Sequence, residues 1–537
     1  MKGARLISVY AAFLAMFGVV MGRLYLLAGN QDYASTARAQ TVTTLELPRQ
    51  RGDILDVEGR SFTGLSDQWY ALALPGDDSY VTLFRYVSYE DQSLLYDQAG
   101  QSAGPFLMPV DRDLTGEGVF SVCEPVREME LPIAVHILGY LDQEGHGVTG
   151  VEAAFDDLLY QPDGDILRCS TTARGSLMED SQPLFSEAPA ASQAVQLTLD
   201  RSIQRMVEGV ARDGMEKGCI LVLDTATAEI RAAVSMPAYD PDNLQKSIDA
   251  NDTSLINRCF SAFSVGSVFK PLLAAVALEE GIDPDESYEC KGWIQVDDQI
   301  FRCAQGTAHG QVDMAEALAQ SCNCYFVRLG QQLGGEKILQ AARGAGFGQP
   351  VYFAASLKTA AGVLPEAQQL QSSGELANFS FGQGHFTATP VQVAALLNLF
   401  AGDGVYRQPT LVRGIVDQNT GLLEPSVYTG QPVQVFEEET VEQLRRMLWG
   451  VVGHGLGRPA LPSFGGAGGK TGTAQTGRFS PEGEEYTDVW FAGFWPAEEP
   501  RYTVVVLLDS TLQPSGAAAS LFSQVCTGLG YLEEPAA

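Results

Sequence analysis

Three short stretches of this chain hold the residue types that acyl transfer requires. Gly266-Ser267-Val268-Phe269-Lys270-Pro271 leads into an apolar run from Leu272 to Gly281. Ser267 stands where a helix N-cap would be, and Lys270 falls on the same face one turn later, so the two side chains can meet. A serine hydroxyl is a poor nucleophile until a base takes its proton. A lysine serves as that base only if burial or nearby positive charge lowers its pKa from about 10.4. The helix start also points free backbone N–H groups at an oxyanion formed above Ser267. Alone, S-x-x-K is equally the spacing of an ordinary capped helix. Gln320-Ser321-Cys322-Asn323-Cys324 adds a hydroxyl and an amide two apart. Gly469-Lys470-Thr471-Gly472-Thr473 opens a strand with a cation, two hydroxyls and a glycine that lets a substrate backbone approach. Gly465 to Thr471 nearly spells a phosphate loop, but Phe464 occupies the first required glycine position and no helical pattern comes after Thr471. Nucleotide binding is not expected.

The elements that must position these groups are legible around them. Gly218 to Asp224 and Glu229 to Met236 are two apolar strand-type runs separated by a turn, a predicted hairpin. A helix-rich middle comes next, in which Thr389-Pro390 starts an apolar helix through Phe400 and Glu439 to Val452 forms another that stops at Gly453. Lys470 to Gln475, Val489 to Trp495 and Tyr502 to Asp509 read as three strands, and Ala517 to Leu529 as a closing helix. Two strands, a block of helices, three strands and a helix predict an α+β fold, an antiparallel sheet covered by helices. Upstream, Gln40 to about Ser192 mixes short alternating stretches such as Val42 to Leu47 with many turn formers, an irregular β-rich domain; Pro183 to Ser192 reads as its connection to the catalytic domain. The expected organisation is residues 1–30 as N-terminus and membrane anchor, 31–192 as a first domain, and 193–537 as the catalytic domain.

The anchor is predicted from Leu6 to Gly22, which carry no charge, continued by Leu24 to Ala28 after Arg23. Lys2 and Arg5 bias the short N-terminus to the cytoplasm, which places the rest of the chain outside it. The competing reading is a cleaved signal peptide with its site at Ala37-Arg38-Ala39. The chain's 537 residues are enough for two or three domains, and its 45% hydrophobic and 19% charged residues are those of a folded body. A net charge of -32 makes nucleic acid an improbable partner. Nine cysteines form no dense disulfide framework, and five scattered histidines with no HExxH and no CxxC predict no metal. No cofactor is expected.

In order, Ser267-x-x-Lys270, Ser321-x-Asn323 and Lys470-Thr471-Gly472 match the three motifs of penicillin-binding proteins. The chain resembles a class B penicillin-binding protein, a monofunctional peptidoglycan D,D-transpeptidase of the division, elongation and sporulation kind. Asn257-Arg258, Phe381-Gly382-Gln383-Gly384, Trp490-Phe491-Ala492-Gly493-Phe494, Arg51-Gly52-Asp53 with Gly59, and Gly150-Val151-Glu152 look like landmarks of that family. The likeness covers nearly the whole chain. It implies the penicillin-binding transpeptidase fold with a five-stranded sheet, behind a pedestal domain and a single transmembrane helix. It also implies Ser267 as the acylated nucleophile, Lys270 as its base, Ser321 as a proton relay to the departing amine, and Lys470 as a source of positive potential. Asn323 would bind the substrate amide and Thr471 its terminal carboxylate, beside Gly472, with the N–H groups of Ser267 and Thr473 as oxyanion hole. The implied donor is a stem peptide ending in D-Ala-D-Ala, with β-lactams as covalent mimics. The implied partner is a membrane glycan polymerase of the shape, elongation, division and sporulation family.

Alternatives remain at this point: a serine β-lactamase, or a β-lactam sensor or activating scaffold. Val265 replaces the usual Pro, Ala228 a usual Gly, and Val57-Glu58 a usual Arg-Asn pair. Neither a glycosyltransferase domain nor the small C-terminal repeats of some relatives are expected. Cys290 and Cys303 are either a disulfide or buried free thiols; Cys322 and Cys324 read as small packing residues, and a zinc site from these four with His309 fits no standard ligand spacing. Arg51, Asp56 and Glu152 are either a salt-bridged junction or a docking surface for a membrane partner.

Overall fold

The computed structural model describes residues 2–29, 42–47, 51–64, 66–74, 79–89, 91–101, 104–117, 119–127, 132–142, 144–161, 164–172, 178, 182–187, 192–241, 243–250 and 253–533. Two compact units result: Met1–Arg51, Gly64–Glu128 and Gln161–Ala191 make the first, and Gly52–Thr63, Met129–Tyr160 and Ser192–Ala537 the second. The second unit thus takes in two segments that lie before the boundary expected at 192. The alternative cleavage site Ala37-Arg38-Ala39 and residues 188–191 of the expected connection lie outside the described residues, whereas Leu184–Ser186 within that connection is a strand.

In the first unit, helix α1 (Lys2–Ala28) is, among the described residues, the one helix long and apolar enough to cross a membrane. At 1.5 Å per residue its Gly3–Ala28 stretch reaches about 39 Å, beyond a hydrocarbon core of about 30 Å. The rest is β-rich. Ile166–Ser170 pairs with Val42–Glu46 on one side and Leu184–Ser186 on the other, and Ser66–Ala73 lies between Phe106–Val110 and Ser121–Val126. Phe106–Val110 alternates buried and half-buried positions, so Phe106 and Met108 meet Ala71, Ala73 and Leu83 in a small core.

The second unit is built on a five-stranded antiparallel sheet: β1 (Gly218–Asp224), β2 (Ile230–Met236), β3 (Gly468–Phe479), β4 (Glu485–Trp495) and β5 (Tyr502–Thr511), ordered β2-β1-β5-β4-β3. β1, β4 and β5 read as nearly continuous apolar runs because both of their faces are covered. Ile220, Val222, Val504, Val506 and Phe491 face a core shared with α2 (Arg201–Gly214) and α7 (Gly516–Glu533), where Val207, Phe522 and Val525 meet them. Leu221, Leu223, Val505, Leu507 and Trp490 point the other way, into the main core with α3 (Lys270–Glu279), α4 (Asn323–Leu333), α5 (Pro390–Ala401) and α6 (Glu438–Gly453). Helix α5 is buried on all sides. Thr389 caps it, accepting from the Gln392 N–H at 3.2 Å while Gln392 Oε1 accepts from the Thr389 N–H at 2.9 Å.

Asp200 caps α2, accepting from the backbone of Ser202 and Ile203 at 2.7 and 3.1 Å. Ile54–Leu55 pairs in parallel with Gln193–Leu197, and Ile54, Phe62, Ile137, Leu138 and Val151 join the main core, which is why these segments belong to the second unit. Asp56 is fully buried and tied to its own turn: its carboxylate accepts from the Glu58 and Arg60 N–H groups and pairs with the Arg60 guanidinium at 2.6 Å.

Candidate active site

The turn that carries Ser267 differs from the expected helix cap. Gly266–Phe269 is a 3₁₀ turn, and α3 begins only at Lys270, so Ser267 sits inside the turn with its side chain half-buried. The cause is Gly266, whose φ of 64° puts the backbone in the left-handed region and redirects the chain before the helix. Its N–H donates to the Gly382 carbonyl at 2.8 Å, so the Phe381-Gly382-Gln383-Gly384 segment braces the turn from one side. Strand β3 braces it from the other. A Cβ on Gly266 would fall 2.8 Å from the Thr473 carbonyl oxygen, and one on Gly472 would fall 2.9 Å from Val268 Cγ1. Strand pairing sets Gly472 opposite Trp490 and Thr473 opposite Val489, and the Trp490 indole N–H donates to the Ser264 carbonyl at 2.9 Å. Ser267 therefore lies between two residues that are pressed against Gly472 and Thr473.

Lys270 joins the first motif to the second. It is completely buried, and its Nζ donates to Ser321 O at 2.8 Å, Ser321 Oγ at 3.1 Å and Asn323 Oδ1 at 2.7 Å. These three acceptors use all of an ammonium's donors. Among the described residues no hydrogen bond joins Ser267 Oγ to Lys270, contrary to what the spacing alone suggests; the motif-two residues hold the ammonium instead. Burial lowers the Lys270 pKa to about 8, against the sulfurs of Cys322, Cys303 and Cys324, which act to raise it. Ser321 reaches its position through a left-handed backbone, φ 54°, rare for a residue with a Cβ. Asn323 opens α4, and its Nδ2 donates to the Arg302 carbonyl at 2.9 Å.

Lys470, on β3, is also fully buried; its Nζ donates to Thr471 O and Oγ1 at 3.2 and 3.3 Å. Burial and then the charge of Lys270 push its pKa well below the ordinary lysine value. The repulsion by the Lys270 charge adds to the cost of burying the Lys470 ammonium. Thr471 is buried and Thr473 exposed, so β3 presents Thr473 on the open side.

Two features of this region were not anticipated. The bracing role of Gly382 carries no sequence signal beyond a resemblance landmark. The thiols gather as no spacing rule suggested: Cys303 Sγ stands 3.7 Å from Cys290 Sγ, 3.8 Å from Cys322 Sγ and 3.4 Å from Cys324 Sγ, while His309 Nδ1 stands 3.4 Å from Cys290 Sγ. Cys290 and Cys303 are free thiols, since an S–S bond requires about 2.05 Å. Cys322 is more than packing: its sulfur caps α4, accepting from the Tyr325 N–H at 3.5 Å.

The family described as "Penicillin binding protein transpeptidase domain" matches residues 218–527, the span holding the sheet and all three motifs. Stage V sporulation protein D of Bacillus subtilis is 32% identical over 404 residues, covering 72% of this chain and 60% of that protein. Peptidoglycan D,D-transpeptidase MrdA of Haemophilus influenzae is 27% identical, covering 71% of this chain and 62% of that protein. The chain spans about three fifths of the length of these curated relatives. The crystal structure of penicillin-binding protein 3 from Mycobacterium tuberculosis complexed with aztreonam superposes with a TM-score of 0.67 at 23% identity, covering 91% of this chain and 97% of that one, a likeness of fold.

Proposed function

The chain belongs to the penicillin-binding protein transpeptidase family, and from that premise we propose that it is a peptidoglycan D,D-transpeptidase acting through a serine acyl-enzyme. The observation that carries the reading is the buried Lys270 ammonium held by Ser321 and Asn323 one turn from Ser267, with Gly472 and Thr473 packed against that same turn.

In this reading neutral Lys270 takes the proton of Ser267 Oγ as that oxygen bonds to the carbonyl carbon of the penultimate D-Ala of a stem peptide. The oxyanion accepts hydrogen bonds from the backbone N–H groups of Ser267 and Thr473. Ser321, already in hydrogen-bond reach of Lys270, passes the proton to the departing D-Ala nitrogen, and the C–N bond breaks to leave an ester on Ser267. An amine of a neighbouring stem then bonds to the ester carbon, loses its proton along the same route and restores the Ser267 hydroxyl. Lys470 and Thr471 bind the donor's terminal carboxylate beside Gly472, and Asn323 orients its amide. A β-lactam enters as a donor mimic and stays as the ester.

Helix α1 serves as a single-pass anchor with the N-terminus in the cytoplasm, where Lys2 and Arg5 favour it. The catalytic domain then works outside the membrane, beside a glycan polymerase of the shape, elongation, division and sporulation family. Labelled penicillin tests the core of this reading: it should attach covalently to the full chain and not to Ser267→Ala. A label that persists on the variant would overturn the assignment of the nucleophile. Rapid hydrolytic turnover of a chromogenic β-lactam would replace the transpeptidase with a β-lactamase.

A further inference from the structure

We infer that Cys290, Cys303, His309 and Cys322 form a zinc site built into the loop that leads to the second motif, although the sequence alone predicted no metal. Their four donor atoms lie within 4.8 Å of one another. A tetrahedral zinc ion with Zn–S of about 2.3 Å and Zn–N of about 2.0–2.1 Å separates two sulfurs by about 3.8 Å and a sulfur from a nitrogen by about 3.6 Å. The chain places Cys290 and Cys303 at 3.7 Å, Cys303 and Cys322 at 3.8 Å, and Cys290 and His309 at 3.4 Å. Three cysteines and one histidine are a donor set of soft thiolates with one imidazole, which suits zinc and leaves no position open, as in structural rather than catalytic sites.

The local fold is shaped to bring these donors together. Cys290 ends the short strand Tyr288–Cys290, paired with Gly310–Val312, so Cys290 lies opposite Gly310 and His309 arrives beside it. Cys303 comes directly after the hairpin of Trp293–Val296 and Gln299–Arg302, anchored by its N–H to the Gly292 carbonyl at 3.0 Å. Cys322 caps α4. Backbone N–H groups also point at the sulfurs: Gly292 donates to Cys290 Sγ at 3.4 Å and Tyr325 to Cys322 Sγ at 3.5 Å. Such donors stabilise thiolates bound to a metal. All three thiols are buried, and three weakly hydrogen-bonding S–H groups in contact gain much less than three thiolates sharing a cation. Cys324 lies beside Cys303 but outside this set of four.

The position of Cys322 gives the site a consequence for the neighbouring chemistry. Ser321 and Asn323 flank it, and they accept the three hydrogen bonds of the Lys270 ammonium. A bound ion pins Cys322 and with it the left-handed backbone of Ser321, so it acts as a positioning element for the base. This consequence rests on the proposed role of Lys270; the metal site itself does not.

Metal analysis of the full chain, purified in detergent with reductant and without chelator, should find about one zinc per chain. Cys303→Ser and His309→Ala should lower that content at least tenfold, while Cys324→Ser retains it. Cobalt exchanged into the wild-type protein provides a measurement that needs no variant: it should show sulfur-to-cobalt charge-transfer bands and the intense visible bands of a tetrahedral site. Protein that takes up neither metal, a native Cys290–Cys303 disulfide under non-reducing mass spectrometry, or metal lost from Cys324→Ser and kept by Cys322→Ser would each overturn the assignment. Stripping the metal should slow labelling by penicillin at least tenfold, whereas Ser267→Ala should abolish labelling and keep its zinc. Zinc retained in a Ser267→Ala protein that still labels would refute the nucleophile and leave the metal site standing.

Discussion

Lys270 Nζ donates to Asn323 Oδ1 at 2.7 Å, a bond between residues 53 positions apart that locks the first motif to the second inside the protein. The same ammonium is cut off from water, and its pKa falls to about 8 because burial penalises the charge. A lysine that acts as base must be neutral. Below pH about 8 the neutral fraction drops roughly tenfold per unit, and above it the fraction saturates. The rate of acylation by a labelled β-lactam should therefore climb about tenfold from pH 6 to pH 7 and level off above about pH 8 to 9. Stopped-flow or timed gel labelling across that range measures it, and a flat profile would mean that another group takes the Ser267 proton.

Asn323→Ala removes one of the three acceptors that stabilise the ammonium. A hydrogen bond to a charged group contributes about 1.5–3 kcal/mol, equivalent to about one to two pH units in the position of the titration. The acylation profile of the variant should move to lower pH by about that amount, and its plateau should fall because the amide no longer orients substrate. A lower plateau with an unmoved midpoint would show that Asn323 touches only the substrate.

Gly266→Ala tests the turn itself. The new methyl group meets the Thr473 carbonyl at 2.8 Å in a backbone conformation that L residues rarely adopt, at a cost of about 1–3 kcal/mol. Because the turn and β3 are pressed together, relief of that clash moves Ser267 away from Gly472 and Thr473. Acylation should drop by about a hundredfold or more while the thermal midpoint of the protein falls by only a few degrees. Unchanged labelling would show that the turn tolerates the displacement.

The sheet and the capped helix were readable because each is written locally. β1, β4 and β5 are nearly unbroken apolar runs that only a doubly covered strand requires, and Thr389-Pro390 with Gln392 spells its own cap. The three motifs were readable as a set of residue types. Their joining was not. Spacing placed Ser267 against Lys270, whereas the left-handed backbones of Gly266 and Ser321 turn the serine into a 3₁₀ turn and hand the lysine to Ser321 and Asn323. The thiol cluster was hidden for a related reason: its donors come from a strand end, a loop, a hairpin and a helix cap, so no short ligand pattern exists to be read. Ile54 belongs to the main core although it precedes the connection, because a two-residue strand paired at long range leaves almost no signal in sequence.

Asp488, on β4 two residues before Trp490, gives a prediction for stability and pH. Its carboxyl is buried and its pKa is raised from 3.8 to about 6, mainly by loss of water, although its Oδ1 accepts from the Ser510 N–H at 3.0 Å. A carboxyl that is harder to ionise in the folded state binds more protons folded than unfolded between those two values. Its contribution to stability is therefore fully present below pH about 4 and is lost as pH rises through about 6, by at most about 3 kcal/mol. This sign is opposite to that of a paired carboxylate such as Asp403, held down at about 2 by Arg407, whose contribution appears as pH rises. Asp488→Asn keeps an oxygen for the Ser510 N–H and cannot ionise. Urea unfolding at a series of pH values should show the variant more stable than the wild type by about 1–3 kcal/mol near pH 7.5, with the difference vanishing near pH 4. A variant less stable than the wild type near pH 7.5 and indistinguishable from it near pH 4 would mean that the folded chain binds the ionised carboxylate, and that Asp488 belongs with the paired carboxylates instead.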